Sequence, residues 1–290
     1  MLELIQLSVS ALSMGFVYAL TGSSIFLIFN AAGVINFAQG ALLMLGAYIG
    51  TTTLNKLGLP YFLAILLMII IMVIIGFLFQ RLAYYPLRNS EGLMFMIAGI
   101  GILVFMENFV QLLWGAAPIS VRPLLSVHSI NIGDLNFEPQ SVMIIVITVA
   151  ILLIENFFLK KTSIGKMTQA VAQDKEAASL MGISVPVMIA VTFINSTVLA
   201  GIAGVLVSPK FYVSIGLTSL LLKGMASCVI GGFGSALGPI IGGIIVGFTE
   251  TFGARYISPQ FRDAWAFLLM IAFLMIRPKG IFKERISEKV

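Results

Sequence analysis

The sequence predicts an all-α polytopic membrane protein of about 8–9 transmembrane helices, with interrupted segments near 30–40 and 210–238. Three observations predict it. Of 290 residues, 59% are hydrophobic and only 10% are charged, against roughly a quarter charged in an average soluble domain, so the polar surface of a water-soluble globule is missing. Mean hydropathy is +1.08, and apolar stretches with almost no charge recur from end to end, as bilayer-spanning helices require. The basic residues lie between those stretches rather than in one patch, so the net charge of +5 reads as loop charge under the positive-inside rule and not as a nucleic-acid surface.

A helix that crosses a bilayer satisfies all its backbone polar groups within itself and needs ~20 apolar residues to do so. The stretches that qualify are 4–29, 38–54, 60–80, 93–113, 140–158, 187–207, 239–255 and 264–276. The first is too long and lacks the basic start of a cleavable signal, so it reads as a span. A longer linker at 114–138 and a basic one at 159–186 separate the spans. Segments 81–92, 159–186 and the tail from Arg277 carry 11 of the 17 basic residues and are placed in the cytoplasm. Between the last two of these only three clear spans occur. An even number is needed, so 210–238 supplies another crossing although it contains Lys223 and many glycines. The same parity puts the N-terminus outside and gives about nine crossings.

Two places break the helical pattern. One is Asn30 to Gly40, where two glycines and two asparagines leave hardly any room for a loop between apolar runs. The other is 210–238. Broken helices at membrane depth are tolerated where they line a cavity or pack on protein, so both are candidate parts of a transport pathway. The sequence has no phosphate-binding G-x-x-x-x-G-K-[ST] loop and no Cys/His ligand set, so neither ATP chemistry nor a metal or other cofactor is expected on this chain. His128 reads as an ordinary loop histidine, and the solitary Cys228 excludes an internal disulfide. After Lys166, apolar residues recur at Met167, Ala170, Val171, Ala178 and Met181, with Gly182 placed to cap a helix C-terminus. That pattern predicts one short amphipathic helix lying along the membrane surface.

Gly33-Val-Ile-Asn-Phe-Ala-Gln-Gly40 followed by Met44-Leu-Gly-Ala-Tyr48, the glycine-rich run Val229 to Gly243 with Gly247 and Glu250, and Arg277-Pro-Lys-Gly-Ile-Phe282 occur in this order. Together they resemble the signature of branched-chain amino-acid ABC transporter permeases of the LivH type. Gln173-Asp174 through Ala177 to Ile183 is similar to that family's cytoplasmic coupling segment. The resemblance implies a single transmembrane permease domain over 1–290 in a bacterial inner membrane, with no enzymatic activity of its own. Implied partners are a homologous permease subunit (a heterodimer), two cytoplasmic ATPase subunits that hydrolyse ATP, and a periplasmic substrate-binding protein. Ala170, Asp174, Glu176, Ala177 and Gly182 then fall in the segment, at about 159–186, that couples to the ATPases. Many members carry His-Gly-Glu where this chain has Gln39-Gly40-Ala41, so a urea or short-amide permease is the alternative substrate class. An ion-coupled secondary transporter is the alternative mechanism.

The pathway candidates are polar residues inside apolar spans. Asn36 and Gln39 either satisfy broken backbone or touch a passing zwitterion. Glu107, with Asn108 beside it and Gln111 one turn on, and Glu250 are intramembrane acids, costly and therefore functional candidates, against a structural role as helix-to-helix hydrogen-bond partners. Asn195 and Thr197 are read the same way. Gly238-x-x-x-Gly242 and Gly243-x-x-x-Gly247 have the spacing of close helix packing, with a half-helix beside the pathway as the compatible second role.

Overall fold

All eight apolar stretches are helices, because at membrane depth only the helix pairs every N–H and C=O internally. The structure, a computed structural model, describes residues 2–90, 92–122, 130–132 and 135–282. His128 and the tail residues Lys283, Arg285 and Lys289 lie outside them. The helices are α1 (Leu2–Ala32), α2 (Gln39–Asn55), α3 (Tyr61–Phe79), α4 (Tyr85–Leu87), α5 (Gly92–Trp114), α6 (Pro139–Lys161), α7 (Ser163–Gln173), α8 (Lys175–Leu180), α9 (Val185–Phe211), α10 (Leu220–Gly231), α11 (Gly238–Tyr256) and α12 (Arg262–Ile276). Six described helical segments are long and apolar enough to cross a membrane; α2 and the glycine-rich α11 add 17 and 19 residues. The stretch 210–238 is interrupted as expected: a 3-10 turn, Ile215–Ser219, precedes the 12-residue α10.

Three local expectations are corrected. The span read as 60–80 does not end there. It runs through a π-helical turn, Gln80–Tyr84, into α4, and Tyr85 N–H reaches back to the Gln80 carbonyl. Pro86, which lacks an N–H and whose ring crowds the preceding turn, explains the widening. Arg81 and Arg88 are therefore not both loop residues; each lays its guanidinium on the Tyr85 ring, at 4.7 and 3.8 Å from its centre. The linker 114–138 contains a short antiparallel pair, β1 (Ile130–Ile132) with β2 (Leu135–Phe137). The amphipathic segment is two helices and not one, for reasons given below.

The chain divides into two compact units. One comprises 27–124 and 150–221, and its centre is the pair α2 and α9. Their backbones touch because glycines face each other: a Cβ on Gly46 would strike the Gly201 backbone, and one on Gly204 would strike the Leu43 carbonyl. Helix α3 packs on α9 with Gly76 against Ile194 and Thr197. The outer faces of α3 and α5 expose Phe62, Ile74, Ile97, Phe105 and Leu112, large apolar side chains that suit lipid rather than water.

The other unit comprises 1–26, 125–149 and 222–290, and α11 is its centre. Gly242 faces the Ser227 carbonyl of α10, while Gly243 and Gly247 face Ala19 and Gly15 of α1. The small-residue spacing seen in the sequence thus serves close packing on two sides. The terminal motif is also structural here: the amides of Ile281 and Phe282 donate to the carbonyls of Ile230 and Gly231 at 3.0 and 2.9 Å, satisfying the C-terminal end of α10.

Candidate translocation and coupling sites

The first interruption is built by side chains that replace lost helix bonds. Helix α1 ends at Ala32, and Gly33 turns the chain at φ +77. Asn36 Oδ1 then accepts from the Ala38 N–H at 3.1 Å, a local bond characteristic of asparagine in turns. Its Nδ2 donates to Gln39 Oε1 at 3.3 Å. Gln39 Nε2 in turn donates to the Ser196 carbonyl and hydroxyl on α9, at 3.0 and 2.9 Å. Both amides are fully buried and both have partners within the chain. Ser196, the anchor on α9, carried no signal in the sequence beyond being a hydroxyl in an apolar span.

Within the same unit the second interruption lies against the first. Gly40, at the start of α2, faces the Thr218 carbonyl of the 3-10 turn. The Thr218 hydroxyl donates to Glu107 Oε1 on α5 at 2.7 Å. Asn36, Gln39 and Glu107 are thus brought to one neighbourhood, joined through segments far apart in the sequence. Glu107 and Gln111 are half-buried on one face of α5. Asn108 is not among them; its exposed amide bonds its own helix, at the Val104 carbonyl. Asn195 Nδ2 donates to Glu155 Oε1 of α6 at 2.7 Å. Glu155 is an intramembrane acid that sequence reading passed over, although its place inside an apolar span marked it. Thr197 Oγ1 is buried and has no partner among the described residues.

Glu250 belongs to the other unit and to a different arrangement. The carboxylate is 1% exposed, accepts from the Tyr18 hydroxyl at 2.6 Å, and pairs with Lys223 Nζ at 3.0 Å and Arg262 Nε at 2.7 Å. Lys223, itself 8% exposed, also meets Asp263 Oδ1 at 2.7 Å. Two acids and two bases close into a neutral group that joins α1, α10, α11 and α12. Its charges satisfy one another, which is the condition under which ions persist away from water. Sequence reading found Glu250 and noted Lys223, but not that the two meet, nor Tyr18, Arg262 and Asp263.

The candidate coupling segment folds as α7 and α8, split at Asp174. That residue is extended, at φ −154 and ψ 112, and its Oδ1 accepts from the amides of Glu176 and Ala177 at 2.9 and 3.0 Å. An aspartate caps a new helix at lower free energy than it continues an old one, which is why the predicted single helix breaks. Thr162 caps α7 in the same way, accepting from Gly165 at 3.0 Å. Gly182 ends α8 as expected, at φ +81. Its amide bonds Ser179 and that of Ile183 bonds Ala178, the paired pattern of a glycine C-cap. The buried stripe is Gly165, Thr168, Val171 and Ala178. Met167 and Ala170 are half-buried. Met181 is corrected: it is 83% exposed, next to Leu180 at 89%, because the capping turn swings it off the helix face. Asp174, Glu176 and Ala177 are exposed as well. Lys175, exposed as a residue, donates to the Ala32 carbonyl at 3.0 Å in a partly buried contact, and desolvation there lowers its pKa from the ordinary lysine value.

Residues 7–276 match the family of branched-chain amino acid transport system permease components. The chain is 31% identical over 304 residues to the high-affinity branched-chain amino acid transport system permease protein LivH of Salmonella typhimurium, covering 100% of this chain and 98% of the relative. It is 30% identical over 300 residues to the permease protein BraD of the corresponding system in Pseudomonas aeruginosa, covering 99% and 98%. Among solved structures, PsaBC from Streptococcus pneumoniae in complex with Fab matches at a TM-score of 0.51 and 15% identity, over 93% of this chain and 91% of that one, a likeness of fold alone. The family match and the full-length identity to LivH and BraD agree with the helical spans, and the chain belongs to the branched-chain amino acid transport system permease family, as a multi-pass membrane permease subunit of an ABC importer and not its ATPase.

Proposed function

We propose that this permease imports branched-chain or closely related amino acids across the bacterial inner membrane, acting as one domain over 1–290. The observation that carries the reading is the identity to LivH and BraD permeases over essentially the whole of both chains. In this reading the C-terminus is cytoplasmic and the N-terminus periplasmic. A periplasmic binding protein delivers substrate to an outward-facing cavity between this subunit and a homologous partner permease. Two cytoplasmic ATPases engage α7 and α8 through Ala170, Asp174, Glu176, Ala177 and the turn at Gly182. The exposed pair Leu180 and Met181 supports this, since large apolar side chains on a short helix outside the spans fit a groove on another protein.

The pathway runs beside the joined interruptions, past Asn36, Gln39, Glu107 and Gln111, with Asn195 on α9. Asn108, on the same helix as Glu107, and Glu250, in the other unit, are further candidates. Glu107 is the best placed for contact with substrate, because it is the half-buried acid at the junction of the broken segments. The neutral amides of Asn36 and Gln39, buried and bonded within the chain, hold the bend beside the route rather than binding cargo, and a tight charged site there would slow exit.

The test is uptake of labelled leucine, isoleucine and valine by cells that lack their other carriers and express the complete transporter. Uptake is expected to require active ATPases and to be competed by the three amino acids but not by urea or acetamide. Uptake that persists with inactive ATPases would mean an ion-coupled carrier, and competition by urea alone would mean an amide permease.

A further inference from the structure

Helix α1 finishes without a cation of its own: no basic residue lies in its last turn. The last carbonyls of a helix have no partner within it and carry the negative end of its dipole, so they favour a donated positive charge. One of them, on Ala32, receives it from Lys175 at 3.0 Å, 143 residues away in sequence. Lys175 is otherwise exposed, yet its ammonium turns into this partly buried contact rather than out to water, as an unconstrained surface lysine does.

The place of Lys175 is fixed from both sides. Asp174, immediately before it, is the capping residue that breaks α7 from α8 and holds the amides of Glu176 and Ala177. Lys175 is therefore the joint of the surface pair rather than a point along one helix. Ala32 directly precedes Gly33, the turn that opens the first interruption; Asn36 follows, bonded to Gln39, which in turn bonds Ser196 on α9. One side chain thus connects the α7–α8 joint to the broken segment beside α2 and α9.

We propose that Lys175 is a positioning residue that transmits movement of α7 and α8 to the end of α1 and so to the interruption at 33–38. This rests on the reading of α7 and α8 as the ATPase-facing segment. A push on the joint pulls on the last turn of α1, and the chain gives at the glycine turn rather than in the helix. The chemistry required at 175 is a long side chain ending in a cationic donor; a methionine has the length and lacks the donor.

The test uses the complete transporter with its ATPases and binding protein, reconstituted into liposomes. Lys175→Met is expected to keep the ATPase subunits bound and to hydrolyse ATP while substrate moved per ATP falls roughly tenfold, the size of one lost charge-assisted contact or a modest coupling energy. Lys175→Arg, which retains a cationic donor, restores most of it. Hydrogen exchange gives a reading independent of transport: amides of 33–38 exchange faster in K175M and return toward wild type in K175R. Wild-type transport per ATP in K175M, or no rescue by K175R, overturns the proposal. ATPases that fall away from K175M also overturn it, since Lys175 is then a docking contact, while the coupling reading stands. If Leu180→Asp with Met181→Asp leaves the ATPases bound and uptake intact, the coupling reading itself fails and the proposal with it.

Discussion

The Glu250 group makes a quantitative prediction about the stability of the unit built around α11. Glu250→Gln removes the charge that Lys223 and Arg262 share, yet Lys223 keeps Asp263 at 2.7 Å and Arg262, at 39% exposed, still reaches solvent. The cost is therefore about 3 kcal/mol, the lower edge for breaking a buried pair. Lys223→Met leaves Glu250 with Arg262 at 2.7 Å and the Tyr18 hydroxyl at 2.6 Å, so roughly 2 kcal/mol is expected, below that range. The solvent-screened bond to Asp263, at 75% exposed, adds little to either figure. With both replaced, no buried charge is left between α10 and α11, and the cost stays near 3 kcal/mol, giving a coupling of about 2 kcal/mol between the two sites. The assay is a double-mutant cycle of denaturant unfolding in micelles, followed by loss of helicity. Costs additive to within about 0.5 kcal/mol would refute the network as a stabilising unit. So would a larger cost for K223M than for E250Q.

Other consequences are separately testable. Gly247→Val drives a branched side chain into the Gly15 backbone of α1, and overpacking of roughly 1–3 kcal/mol or more should appear as a lost monodisperse peak in size-exclusion chromatography. Gly182→Ala, at φ +81, should cost about 1 kcal/mol at the end of α8 and lower ATP-driven uptake, with Gly182→Asn milder; equal uptake by both would deny the capping turn a role. Gln39→Leu strips Ser196 and Asn36 of a partner, and an unsatisfied buried group costs about 1–3 kcal/mol, read as a lower melting temperature.

Most of the helical framework was legible because bilayer physics writes it into composition. An apolar run of ~20 residues can do little but span, and every such run is a helix with ends within a few residues of those read from the sequence, except the one read as 60–80, which continues to Leu87. The interruptions were legible too, since Gly33, Asn36 and the run after Val229 punctuate otherwise monotonous stretches. What failed was local and what stayed hidden was long-range. Asp174 fits a surface helix by composition, and only its extended backbone reveals a cap. The π turn at Gln80–Tyr84 follows from Pro86, a residue whose effect is felt several positions earlier. The partners of Glu250 lie 232 residues back at Tyr18, 27 back at Lys223 and 12 ahead at Arg262; no periodicity in one chain links such positions. The same holds for Gln39 with Ser196 and Lys175 with Ala32.

Those long-range bonds also separate the intramembrane polar groups into two kinds. Asn36, Gln39 and Glu250 are fully buried and spend their hydrogen-bonding capacity on the chain itself. Glu107 is half-buried and, among the described residues, is held by the Thr218 hydroxyl on one oxygen, which leaves acceptor capacity on the other. In the pathway proposed above, a carboxylate in that state is suited to the ammonium end of an amino acid. Glu107→Gln keeps the size and an acceptor for Thr218 while removing the charge, so the fold should be undisturbed and the melting temperature unchanged. Uptake by the complete transporter should fall about tenfold, the value of one charge-assisted hydrogen bond, whereas Thr218→Val, which frees the carboxylate without discharging it, should spare uptake more than E107Q does. Unchanged uptake in E107Q would remove Glu107 from the pathway. A lowered melting temperature in E107Q would place it with Glu250, as a group that holds helices together rather than one that meets cargo.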